Sequence, residues 1–219
     1  MEMKRIFLML AAVLMTASAF AAENSAYAPS TISASDQVEA KYTKAIEGRA
    51  ADILKVLALS DQGKVAKVHD TIIAQYRALN AWHNENDAKL KAARQDTNAI
   101  ASIHASLKSL HDEFLSKLAV DLTPAQIEQV KDKMTYGKVQ FTYAGYVAAY
   151  PDLSQTNRDK ILELLKEARE DAMDGGSAAE KTAVFQKYKG KINNYLSKQG
   201  VHPGKPKSAA DSPANDPAK

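Results

Sequence analysis

The chain has 219 residues, 45% of them hydrophobic and 25% charged, with a formal charge of +3 and no cysteine. The apolar fraction is large enough for a core, which excludes collagen-like, disulfide-framework and wholly disordered classes. The missing cysteines exclude thiol nucleophiles, disulfides, cysteine-based zinc or iron–sulfur sites and a lipidated N-terminal cysteine.

In chain order, Lys4 and Arg5 precede an apolar run from Ile6 to Met15, followed by the small-x-small sites Ala17-Ser18-Ala19 and Ala19-Phe20-Ala21. This is the pattern of a cleavable signal peptide over residues 1–21, too short for a membrane span of about 20 apolar residues. The expected location is periplasmic or secreted, with no stable membrane span after cleavage. Removing Glu2, Lys4 and Arg5 leaves a formal charge of +2, which argues against a nucleic-acid partner. Residues 22–35 read as a flexible segment. Residues 200–219, with Pro203, Pro206, Pro213 and Pro217, read as a disordered proline-rich tail.

Residues 36–199 carry apolar side chains at three- and four-residue spacing and only two prolines, Pro124 and Pro151. The expected fold is all-α, a single bundle of about six helices built from antiparallel hairpins. The first helix is predicted from about Asp36 to Ala58, with Val38, Tyr42, Ala45, Ile46, Ile53 and Leu57 inward. The second runs from about Asp61 to Ala92 on a Val65, Val68, Ile72, Tyr76, Leu79 stripe. The third runs from about Thr97 to Ala119 on a seam of Ile100, Ile103, Leu107, Leu110, Phe114 and Leu118. Thr123, Pro124 and Gln126 open a short fourth helix with a capping box. Lys138 to Leu153, aromatic and interrupted by Gly145 and Pro151, reads as irregular. Ser154 starts a fifth helix to Met173, and Ser177 with Glu180 starts a sixth to about Lys198.

Four of the nine tyrosines, Tyr136, Tyr143, Tyr146 and Tyr150, crowd the irregular stretch with Phe141. Such rings either stack on a sugar or peptide or fill the core between hairpins. In the fifth helix, Glu163, Glu167, Glu170 and Asp174 share a stripe that could hold a cation or act as acid and base. It points away from Ile161, Leu165, Ala168 and Ala172, so a solvated face is the better reading. In the sixth, Gly190 lies opposite the Phe185, Tyr188, Ile192, Tyr195, Leu196 stripe, beside Lys187, Lys191, Asn193 and Asn194. A mid-helix glycine costs about 1 kcal/mol relative to alanine. That cost is explained by close approach of another helix or of an anionic or sugar-like ligand.

Arg77, Asn80, His83 and Asp87 form a polar patch, read as a buried network in preference to a ligand pocket. His104 and His111 stand two turns apart, about 10.5 Å, too far to chelate one ion. Serine-elbow, HExxH, phosphate-loop and EF-hand motifs are absent, so the sequence calls for no metal or cofactor and leans away from an enzyme. An enzyme acting on an envelope or plant glycan would use the Arg77, His83, Asp87 patch or the fifth-helix acids as its acid/base groups.

Met134-Thr135-Tyr136-Gly137, the segment from Leu165 to Glu170, Ala172-Met173-Asp174 and the segment from Tyr188 to Leu196 resemble a family of secreted bacterial domains with no assigned function. The resemblance covers residues 36–200 and implies export and a setting associated with polysaccharide use. Leu122-Thr123-Pro124-Ala125-Gln126 is similar to the LTxxQ motif of small helical periplasmic chaperones and metal-stress sensors. That family carries two copies. Here Leu59-Ser60-Asp61-Gln62-Gly63 has its glutamine one position early, and Leu153-Ser154-Gln155-Thr156-Asn157 ends in asparagine. The expected partner is a glycan, peptide or envelope protein, with the tyrosine stretch and the Lys187/Asn194 face as binding surfaces and a chaperone role as the alternative.

Overall fold

Most of the helices begin at a short polar side chain that accepts a backbone N–H of the first turn, as the cap-rich sequence leads one to expect. Ser33, Asp61, Asp96, Thr123, Ser154 and Ser177 each do so, a contact whose loss costs about 1 kcal/mol. The computed structural model describes residues 33–204. Among them are seven helices and no strand: α1 Ala34–Leu57, α2 Gln62–Ala92, α3 Thr97–Leu118, α4 Pro124–Met134, α5 Lys138–Ala149, α6 Gln155–Met173 and α7 Ala178–Lys198. The all-α expectation holds. The expected signal peptide and most of the proline-rich tail lie outside the described residues.

The added helix is α5, where an irregular segment was expected. Its N-cap is Gly137, which offers no side-chain bond, and its sequence has little contrast between polar and apolar faces. Val139, Thr142 and Tyr146 bury one side of it, and tertiary packing supplies what local signals lack.

The helices pack around two centres. Ile46, Ala50, Ile53 and Leu57 of α1 meet Val68, Ile72 and Tyr76 of α2, Phe114 and Leu118 of α3, and Val130 and Met134 of α4. Val139 and Tyr146 of α5 meet Ile161, Leu165, Ala168 and Ala172 of α6 and Phe185, Tyr188, Ile192 and Leu196 of α7. Adjacent pairs α1–α2, α2–α3 and α6–α7 form the expected hairpins, and α4 packs on α6 to join the two centres.

Two expected inward positions of α1, Val38 and Ala45, are exposed, because the buried stripe starts only at Ile46. On α3, Ile100, Ile103, Leu107 and Leu110 are only partly buried. The upper halves of α2 and α3 have mainly each other to pack on, fixed by Trp82 Nε1 donating to Ser106 Oγ at 2.8 Å.

Beyond α7 the chain turns back. Val201 packs on the second centre, and the Gly204 N–H donates to the Ala149 carbonyl at 2.9 Å.

Candidate functional site

Two non-glycine residues among the described ones take the left-handed backbone conformation, Ala58 after α1 and Tyr136 at the end of α4. The Tyr136 N–H donates to the Lys133 carbonyl at 3.1 Å and the Gly137 N–H to that of Asp132 at 2.8 Å. This is a Schellman stop with Tyr136 at the left-handed position, φ +60°. Helix α7 ends in the same motif: Gly200 donates to Ser197 and Val201 to Leu196, with Gly200 at φ +69°. Glycine fills that position in α7 because a Cβ there is strained. In α4 a tyrosine bears the strain, of order 1–2 kcal/mol.

That conformation aims Tyr136 outward, 48% exposed, over a groove of about 560 Å³ between α1, α4 and the start of α5. Ile53, Val56 and Tyr76 form its apolar floor, and Arg49, Asp52, Gln129, Lys133 and Gln140 its rim. The Arg49 guanidinium lies 5.5 Å over the Tyr76 ring. Burial pushes the Tyr76 hydroxyl up to about 12, so it stays protonated. Among the described residues, no hydrogen bond or ion pair engages the side chains of Asp52, Gln129 or Gln140. Asp132 on the same wall is bound by Arg169 at 2.7 Å.

Of the other tyrosines, Tyr146 is buried, donating to Asn193 Oδ1 at 2.8 Å and the Lys189 carbonyl at 3.2 Å. Tyr150 stacks on it at 5.9 Å, and Tyr143 is half-buried against the second centre. These three rings join α5 to α6 and α7 and do not line the Tyr136 groove. The approach expected at Gly190 does not occur. A Cβ there meets nothing within 4 Å, and α5 touches α7 one residue away, at Lys189. Lys187 and Asn194 stand on the solvent face of α7, and Lys191 lies 3.7 Å over the Tyr188 ring.

The Arg77 patch divides. Arg77 pairs with Glu39 at 2.9 Å and donates to Thr43, on α1. Asn80 is exposed, beside a void of about 20 Å³ that Tyr136 also lines. His83 spends both nitrogens: Nδ1 on Asp87 at 3.0 Å and Nε2 on the Asp174 carbonyl at 2.7 Å. Burial works against its charged form. The Asp174 carbonyl and Asp87 carboxylate outweigh that and hold its pKa above the usual value.

The acidic stripe of α6 is solvated only in part. Glu163 pairs with Lys160, and Glu167 is exposed. Glu170 and Asp174 instead turn into the seam between the two centres, a correction to the solvated-face expectation. His111 Nδ1 meets Asp174 at 3.0 Å, and its Nε2 lies 3.6 Å from Glu170, which also pairs with Lys131 at 2.9 Å. The two carboxylates lift His111 to about 9. Burial opposes the charge on Glu170, yet His111 and Lys131 draw it down to about 2. Arg169, 3% exposed, bonds Asp132, Glu128 and Glu170. Buried Lys181 donates to the carbonyls of Met134 and Met173, each at 3.1 Å, closing the ends of α4 and α6, and burial lowers it to about 8. The charged groups of the seam are thus paired internally, although the buried Nε of Arg169 has no hydrogen-bond partner among the described residues.

The sequence reading missed Arg169, Lys181 and the rim residues of the groove. A lysine at 181 on the Phe185, Tyr188, Ile192 stripe was a readable signal. The rim residues come from separate helices and had none. Leu122 to Gln126 form the expected capping box, Thr123 N–H to Gln126 Oε1 at 3.0 Å and Gln126 N–H to Thr123 Oγ1 at 3.3 Å.

Among the described residues no helix is long and apolar enough to cross a membrane. No curated protein matches this chain. Residues 43–209, which include the groove and the seam, match the family described as "Protein of unknown function (DUF3826)", and the chain belongs to that family.

Proposed function

We propose that the protein is an exported, non-catalytic module that binds a saccharide in the Tyr136 groove. One observation carries this reading: a tyrosine occupies a left-handed backbone position that glycine fills in α7, and its ring is thereby held half-exposed above a groove. Ala58, after α1, is the other left-handed non-glycine among the described residues, but it carries only a methyl; strain retained at a residue with a large exposed ring favours a use for that ring. An aromatic face beside carboxamide and carboxylate groups without hydrogen bonds, and a guanidinium without an ion pair, suits a sugar, which offers an apolar ring face and a rim of hydroxyls. Export is supported by the residues before Ala21.

The test is a titration of the mature protein with a panel of soluble plant and bacterial oligosaccharides, repeated with Tyr136→Ala. The reading expects binding to be lost in the variant at little-changed melting temperature, since alanine keeps the strained Cβ and the half-exposed ring has little buried area to lose. Binding that survives the substitution, or a panel without any binder, would sink it.

A further inference from the structure

We infer that the saccharide taken by this groove is anionic, its carboxylate or sulfate held by Arg49 with Lys133 beside it. The inference rests on reading the groove as a saccharide site and names the chemical class of its ligand.

Of the five described arginines, Arg77, Arg158 and Arg169 are committed to internal acceptors, whereas Arg49 and Arg94 have no ion pair, and of these two only Arg49 lines the groove. Arg77 is paired with Glu39, Arg169 with Asp132 and Glu128, and Arg158 donates through Nε to the Leu153 carbonyl. Lys131, on the face of α4 toward α6, pairs with Glu128 and Glu170. Arg49 has its guanidinium over Tyr76 but no acid within pairing distance, and Lys133 is likewise without an ion pair among the described residues. Both line the groove.

Two acids line it as well. Asp132 is consumed by Arg169, so its charge is already answered from behind the wall. Asp52 is exposed and uncommitted, which leaves two cations facing one acid. The Arg49 guanidinium is held 5.5 Å over the Tyr76 ring, and among the described residues none of its N–H groups has an acceptor. A planar fork with two parallel donors matches a carboxylate or sulfate far better than a single hydroxyl. A neutral sugar would need only the carboxamides of Gln129 and Gln140 and the Tyr136 ring.

Three probes of one length separate the outcomes: tetragalacturonate, a sulfated galactan tetrasaccharide and neutral mannotetraose, each titrated into the mature protein with and without added salt. One or both anionic probes should bind about tenfold or more tighter than the neutral one, and the advantage should shrink with salt because the groove is open to solvent. Arg49→Met should bring the anionic probe down to the neutral level. Lys133→Met, at an exposed position, should weaken it in the same direction and covers the case in which Arg49→Met fails to fold. If mannotetraose binds as tightly as the anionic probes and neither substitution changes that, the inference is overturned while the saccharide reading stands. If no probe binds, both fall.

Discussion

His111 holds the Asp174 carboxylate from α3, with Nδ1 3.0 and 3.1 Å from its two oxygens. His83 holds the backbone carbonyl of the same residue from α2. Asp174 is the C-cap of α6, so two side chains of the α2–α3 hairpin fasten the corner where α6 turns into α7. The hairpin belongs to one packing centre and the corner leads into the other, which makes this residue a bolt between them.

The bolt should depend on pH. His111 is raised from an ordinary 6.5 to about 9 in the folded state. A base whose folded pKa is raised contributes stability that is fully present below pH 6.5 and is lost as pH rises through about 9. Comparing melting temperatures of wild type and His111→Gln across pH should show a gap worth about 2 kcal/mol at pH 6 that closes toward pH 9 and above. A gap constant with pH would mean that the ring contributes by packing alone.

Gly176 is where the second histidine meets the corner. A Cβ on Gly176 would lie 2.9 Å from two atoms of the His83 ring, which is pinned at both nitrogens and cannot swing away cheaply. Gly176→Ala should therefore cost about 1–2 kcal/mol. In the His83→Ala background the same substitution should be nearly free, a non-additivity readable by denaturant titration of the four proteins in the cycle. Additive costs would place the strain in the Gly176 backbone instead.

Arg169→Met tests the other half of the seam. Glu128, Asp132 and Glu170 gather around the guanidinium, and removing it leaves three carboxylates with Lys131 and His111 to share. Breaking such a buried cluster costs about 3–5 kcal/mol. Glu170 sits at about 2 in the folded protein, below its ordinary value, so its contribution is present above pH 4.5 and is lost as pH falls through 2. The deficit of the variant should be largest near neutrality and narrow below pH 4.5 in a melting series.

These groups also show how far sequence reading reaches. Apolar spacing and capping residues mark six helices because each signal is local: Asp96 caps α3, and Thr123 with Gln126 closes the box of α4. The same logic fails for α5, whose Gly137 cap and uncharged face give no local contrast. It fails again for Glu170 and Asp174. Their direction away from the α6 core stripe is right, but the space there is taken by α3 and α4, which only the packing of distant segments decides. Tyr136 was visible as one of four clustered tyrosines. What sets it apart is its backbone angle and a groove it shares with Arg49, nearly ninety residues earlier.

The sharpest consequence of that angle is a substitution that helps the fold and removes the site. Gly200 ends α7 in the geometry that Tyr136 holds at the end of α4. Tyr136→Gly keeps the Schellman bonds, since both are made by backbone groups, and relieves a left-handed strain of about 1 kcal/mol. For a domain of this size that is a rise of about 3 °C in melting temperature. The half-exposed ring has little buried area to lose, so the relief should dominate. The same variant should lose all saccharide affinity, because the groove loses its aromatic wall. A fall in melting temperature would show that the ring is there to pack against Tyr76 and Ile53, and the strain would no longer speak for a ligand.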